Sequence, residues 1–176
     1  MKYNFDGVIV VEGKDDVSYL SSFLNGLFFT TNGLDISDKK IEFLKLISKV
    51  NKLIIMTDND ASGEVIRNRI VNQINGCFVV KISGKSRKNY KKNGVAEANR
   101  DEILNLIQNH LVDHDIQLVK YDLNKYVSLS KQGHELKMKL IEKYRLIDGN
   151  IKYIENQLNM LKISKSEIKL LLEKLI

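Results

Sequence analysis

The chain has 176 residues, 43% of them hydrophobic, with 28 lysines and arginines against 22 acids, a net charge of +6 and one cysteine. That supports one ordinary domain core plus a small appendage; it argues against a disulfide framework, a multi-thiolate zinc site, a membrane span or a signal peptide, and fits the cytoplasm. The positive balance favours an anionic partner, most simply nucleic acid.

Phe5 to Val11 reads as a first strand whose run Val8-Ile9-Val10-Val11 suits burial on both faces. It ends in Glu12-Gly13-Lys14-Asp15-Asp16, and a helix is expected from there to about Leu24. Asp15 or Asp16 can cap that helix. Glu12 has no such duty and stands beside a glycine, where backbone turns sharply and a ligand can approach closely. A second strand around Leu27 to Thr31 leads into Thr31-Asn32-Gly33, a strong turn signal. After Asp38 a helix is expected through Lys49, with Ile41, Phe43, Leu44, Leu46 and Ile47 at its apolar positions.

The run Leu53-Ile54-Ile55-Met56 predicts a buried strand that breaks off at Thr57-Asp58-Asn59-Asp60. In extended backbone Asp58 and Asp60 would point to one face and serve one site. Capping of the following helix is the alternative reading of the pair. Ser62-Gly63 suggests a tight turn, and a helix is expected over Glu64 to Ile74. Gly76 to Ile82 reads as a fourth strand, with Cys77 as a small core residue.

Between Ser83 and Gly94 the chain is polar and cationic without periodicity, a loop carrying Lys85, Arg87, Lys88, Lys91, Lys92 and Tyr90. Phosphate contact is the favoured role for its cations. Glu97 is a further candidate acid before a helix from about Arg100 to Leu111. His110, His114 and Asp115 read as solvated residues rather than a zinc site.

Alternation of strand and helix up to about residue 112 argues a mostly parallel sheet with helices on both faces, an α/β domain. Glu12, Asp58 and Asp60 then all lie at carboxyl ends of strands and converge on one sheet edge. Oxygen ligands of this kind suit Mg²⁺ or Mn²⁺. Residues 113–121 read as a linker, and 122–176 as a small all-α domain. Lys131, Lys137, Lys139, Lys143 and Arg145 give that domain much of the basic excess, and Asp148-Gly149-Asn150 marks a turn between two packed helices.

The strand followed by Glu12-Gly13-Lys14, then Asn32-Gly33, then Asp58-x-Asp60-x-x-Gly63 resembles a Toprim domain. With Thr57, Glu64, Ile66, Arg67 and Lys92-x-Gly94-Val95 added, the pattern is similar to the ribonuclease M-five family, endonucleases that mature precursor 5S ribosomal RNA. Asp122-Leu123 and Leu158-Asn159-Met160-Leu161-Lys162-Ile163-Ser164 resemble that family's small RNA-binding domain. Two positions depart from the family pattern: Asn59 stands where proline is common, and Ala96 separates Gly94-Val95 from Glu97. The resemblance implies a Toprim catalytic domain over 1–112 and Mg²⁺-dependent phosphodiester hydrolysis by Glu12, Asp58 and Asp60. Gly13, Asn32, Gly33, Gly63, Glu64 and Glu97 would support that site, and Lys14, Arg67, Lys85, Arg87, Lys88, Lys91 and Lys92 would line the RNA path. It also implies a ribosomal protein partner, L-eighteen. A primase-like or DNA-processing Toprim protein, or a binding module that does not cut, are the alternatives.

Overall fold

The computed structural model of the protein describes residues 2–33, 36–82, 94–127 and 133–173. The chain divides into two compact units, Met1–Ile116 and Gln117–Ile176.

The first unit is built on β1 (Tyr3–Val11), followed by α1 (Lys14–Ser21), β2 (Leu24–Thr30), α2 (Asp38–Ser48), β3 (Leu53–Ile55), α3 (Ala61–Val71) and β4 (Phe78–Val79). A 3₁₀ turn at Val95–Glu97, α4 (Arg100–Leu106), a second 3₁₀ turn at Gln108–His110 and β5 (Leu111–Val112) complete it. The parallel order is β2-β1-β3-β4, and β5 pairs antiparallel with the start of β1 at Asn4 and Phe5. The sheet is therefore mostly parallel, with one short antiparallel strand added.

The pleat sorts β1 between two cores. Ile9 and Val11 join Ile54 and Met56 against Leu20 of α1, Val95 and Ile103. Val8, Val10, Leu53 and Ile55, one residue out of phase, are buried on the opposite face. There Phe43 of α2 packs on Phe29 of β2 at 5.9 Å, and Arg69 of α3 pairs with Asp38 of α2 at 2.7 Å. Helices thus cover both faces. The crossover from β1 to β2 runs one way and that from β2 to β3 runs back past β1, so the ends of β1 and β3 border the crevice where the winding reverses.

Several boundaries differ from the sequence expectation. α1 ends at Ser21 because Leu24 is already paired to Tyr3 in β2. Ser62 and Gly63 lie inside the first turn of α3, not in a separate turn. Cys77 precedes β4 half-buried, its thiol against the Ile74 carbonyl at 3.4 Å, and is not a core residue. His110 is not simply solvated: its ring lies 4.4 Å from that of Phe78, and burial pulls its pKa down, with Lys52 adding to the effect.

The second unit holds α5 (Leu123–Val127), α6 (Gly133–Tyr144), α7 (Ile151–Met160) and α8 (Lys165–Glu173). Leu140, Leu146, Ile154, Leu158 and Met160 are fully buried. Its joints are polar side chains instead of glycines. Buried Gln157 accepts from the Ile147 N–H and donates to the Ile147 carbonyl, both at 2.7 Å. Asn159 does the same for Val119, at 2.7 and 3.1 Å, and Asn150 caps α7 by accepting from the Tyr153 N–H. The stretch expected as a linker is therefore held: Val119 by Asn159, and Asp115 by Asn4 at 3.3 Å. Among the described residues no helix is long and apolar enough to cross a membrane.

Candidate active site

Parallel pairing carries Glu12 to its position. The Thr31 N–H donates to the Val11 carbonyl and the Asn32 N–H to the Glu12 carbonyl, both at 2.9 Å, so β1 stays zipped to β2 to its last residue. On the other side the Met56 N–H donates to the Val10 carbonyl at 2.9 Å. The two chain ends then meet: Glu12 Oε1 accepts the Asp58 N–H at 2.8 Å. Asp58 Oδ1 in turn accepts the Val95 N–H at 2.8 Å.

Gly63 is required by the closeness of this meeting. A Cβ there would stand 2.6 Å from Glu12 Oε1 and would strike the Asp58 carbonyl. A Cβ at Gly94 would strike the Glu97 carboxylate and lie 3.4 Å from both Asp58 carboxylate oxygens. Glu97, Asp58 and Glu12 are thereby gathered around two glycines that belong to different parts of the chain.

Asp60 behaves differently. Its Oδ1 accepts the Gly63 N–H at 2.8 Å, which makes it the N-cap of α3. Asp58 lines an open cleft of about 500 Å³ together with Glu12, Gly13, Lys14, Asp16, Asn32 and Gly33; Asp60 does not. The capping reading of the pair thus holds for one oxygen of Asp60, because the chain has left β3 at Ile55 and opens α3 at Ala61, while the charge of Asp60 still reaches Glu12 and Asp58. Glu64 is exposed in the first turn of that helix.

Sequence reasoning missed Asp16 as a member of this cluster. It is only 7% exposed and accepts the Gly13 N–H at 2.9 Å. Lys40 was missed too; it donates to the Thr31 carbonyl behind the Asn32 turn, where Asn32 adopts a positive φ of 51°. Arg67 is placed where no surface phosphate reaches it easily. It is 7% exposed, and its Nη1 donates to Thr57 Oγ1 at 2.9 Å, so its expected place on the RNA path is corrected. Lys85, Arg87, Lys88, Lys91 and Lys92 lie outside the described residues. Lys14 is exposed at the cleft.

The electrostatics are those of crowded acids. Burial pushes the Glu12 pKa up against the lowering effect of the Asp58 N–H, and the charges of Asp58, Asp60 and Asp16 add to the rise. Burial likewise raises Asp58 and Asp16, with Asp60, Glu97 and Asp16 among the repelling neighbours of Asp58. Among the described residues no lysine or arginine stands within ion-pair distance of Glu12, Asp16, Asp58, Asp60 or Glu97.

The Toprim domain matches residues 7–84 of the chain. A protein of Borreliella burgdorferi named Ribonuclease M5 is 30% identical over 166 residues, covering 92% of this chain and 90% of that protein. The Ribonuclease M5 of Mesoplasma florum is 37% identical over 124 residues, 68% of this chain and 70% of that protein. That of Bacillus subtilis is 35% identical over 105 residues, 58% of this chain and 56% of that protein. The chain belongs to the ribonuclease M5 family.

A Toprim domain implies a divalent cation, and the donor set fits one. Glu12 and Asp58 offer oxygen only, with no thiolate or imidazole beside them. Each has one carboxylate oxygen engaged by a backbone N–H, and the other accepts from no described residue. Among the described residues no group of three or more His, Cys, Asp or Glu side chains stands at the spacing of one metal ion. Mg²⁺ does not need such a cage: one or two carboxylates plus phosphate oxygens are its usual protein complement.

Proposed function

We propose that this member of the ribonuclease M5 family is a metal-dependent endoribonuclease that releases mature 5S ribosomal RNA from its precursor by phosphodiester hydrolysis. The observation that carries the reading is the junction of Glu12 with Asp58 at 2.8 Å, in an open cleft at the reversal point of the sheet.

Glu12, Asp58 and Asp60 would hold Mg²⁺, with Mn²⁺ as a substitute; when bound, the ion would neutralise charge on the scissile phosphate. Asp58 is held toward the cleft by the Val95 N–H, so its carboxylate is oriented before any ligand arrives. Asp60 uses one oxygen as a helix cap and keeps the second for a ligand. Glu12, whose pKa burial raises, is suited to hold and transfer a proton. Gly13, Asn32 and Gly33 shape the cleft wall, Gly63 keeps room for Glu12, Glu97 adds acidity beside Asp58, and Glu64 would help from the first turn of α3.

Lys14 at the cleft and Lys85, Arg87, Lys88, Lys91 and Lys92 after β4 would track the RNA backbone. Residues 117–176 carry twelve lysines and arginines against seven acids, which supports a helical RNA-binding unit that reads shape and phosphates. Ribosomal protein L-eighteen is the expected protein partner.

Alanine at Asp58 or Asp60 separates cutting from holding. Cleavage of precursor 5S RNA should vanish in both variants while RNA binding persists or tightens, because repulsion of phosphate is relieved. Unchanged cleavage in D58A would sink the reading.

A further inference from the structure

Arg67 presents a problem that its surroundings answer. An arginine that is only 7% exposed ordinarily keeps a carboxylate partner, since an uncompensated buried charge is strongly unfavourable. Among the described residues Arg67 makes no ion pair. It reaches instead to Thr57, itself 1% exposed, the last residue before the acidic turn.

The Thr57 hydroxyl accepts from Arg67 Nη1 at 2.9 Å and donates to the Gly63 carbonyl at 2.9 Å. A hydroxyl has one proton, so the guanidinium, which can only donate, forces that proton toward Gly63. The Gly63 N–H then donates to Asp60 at 2.8 Å. A chain of bonds from Arg67 through Thr57 and Gly63 to Asp60 thus closes the seven-residue turn on itself. Asp58 sits inside that loop, and Glu12 presses against Gly63 from the neighbouring strand. Among the described residues neither the buried cation nor the acidic cluster makes an ion pair, and one turn of chain joins them.

We propose that Arg67 is a positioning residue for the acidic turn: through the Thr57 hydroxyl and the Gly63 carbonyl it fixes where Asp58 and Asp60 stand. It acts on the carboxylates and not on the RNA. The inference rests on the reading of Asp58 and Asp60 as the metal-holding pair and adds to it the device that sets their spacing.

The test uses the full chain with four substitutions, R67M, R67K, T57V and T57S, and two readouts. The first is the kcat and KM for precursor 5S RNA. The second is the rise in Tm on titrating MgCl₂ alone, without RNA. A turn misplaced by a fraction of an ångström to about 1 Å costs catalysis by about 10- to 100-fold. R67M and T57V should therefore lower kcat by that order with KM within about twofold, and move the Mg²⁺ midpoint of the Tm rise upward. The double variant T57V/R67M should be no worse than the poorer single one, because both break one chain of bonds. T57S, which keeps the hydroxyl, should restore the wild-type midpoint, and R67K should lie between. Should R67M not fold, T57V against T57S carries the same comparison through the atom on which Arg67 acts.

A raised KM with kcat unchanged in R67M would make Arg67 an RNA contact and overturn the inference. So would a T57V midpoint equal to wild type. A wild-type protein whose Tm ignores Mg²⁺ and which leaves the RNA uncut would refute the reading of the site itself, a result distinct from variants that behave like a responsive wild type.

Discussion

The carboxylate of Glu12 accepts the backbone N–H of Asp58 at 2.8 Å, tying together the ends of two adjacent parallel strands. The two residues are 46 positions apart, and the bond makes the acid at the first strand end responsible for the placement of the acid at the second. Glu12 therefore has a structural duty beside the chemical one proposed for it, and the two can be separated. E12Q keeps an acceptor oxygen for the Asp58 N–H but cannot carry a charge or trade a proton. It should fold at least as stably as wild type at neutral pH and cleave RNA at least about 100-fold more slowly. E12A leaves the N–H without its partner and should lose about 1–3 kcal/mol, offset in part by relief of repulsion. Thermal melts beside single-turnover cleavage give both numbers.

Asp60 poses the capping question directly. Asparagine caps a helix as well as aspartate does, whereas alanine costs about 1 kcal/mol. D60N should match wild type in Tm and still lose cleavage, and D60A should lose both. A fully active D60N would reduce Asp60 to a cap.

The acidic cluster predicts a pH dependence whose sign is unusual for carboxylates. Glu12, Asp16 and Asp58 all have folded pKa values raised by burial above 4.5 or 3.8. The folded state then binds protons more tightly than the unfolded chain, so between those values and the raised ones stability falls as pH rises. The metal-free protein should gain stability from this cluster as pH drops from neutral toward 4.5. His110 works the other way, since its lowered pKa loses stability as pH falls through 6.5. The difference between wild type and E12Q isolates the cluster. MgCl₂ should raise Tm more at pH 7.5 than at pH 5, read by melts at the two values.

Two helices of the second unit end on cations in the left-handed region. Arg145 has φ 53° and Lys162 φ 54°, each followed by the helix-closing bond from the next residue: Leu146 N–H to the Ile141 carbonyl and Ile163 N–H to the Leu158 carbonyl. Glycine is favoured there, and a side chain costs about 1 kcal/mol. R145G and K162G should therefore raise stability by about that much each while weakening RNA binding and reducing its salt dependence. Denaturant melts and a salt series of binding curves check the two halves.

The sequence made the scaffold legible where apolar runs were long or doubly buried. Val8 to Val11 and Leu53 to Ile55 read as strands because parallel strands covered on both faces show no alternation. The acids at their ends followed from topology. What escaped had local causes. β5 is two residues long, too short for any period, and α1 was overrun because Phe23 and Leu24 continue an apolar pattern across a strand start. Asp16 carried a plausible cap role that hid its burial in the cluster. Arg67 looked like a surface cation, since cations usually are; only the Thr57 hydroxyl and Gly63 carbonyl beneath it explain why this one is inside.

The measurement that bears most directly on the central claim is incubation of the purified protein with precursor 5S RNA, with and without Mg²⁺, mapping the ends of every product. Discrete cuts flanking the mature sequence, present with Mg²⁺, absent in chelator and absent in D58N, are the predicted result. Intact RNA in the presence of Mg²⁺ and ribosomal protein L-eighteen, or cuts that persist in chelator or in D58N, would contradict it.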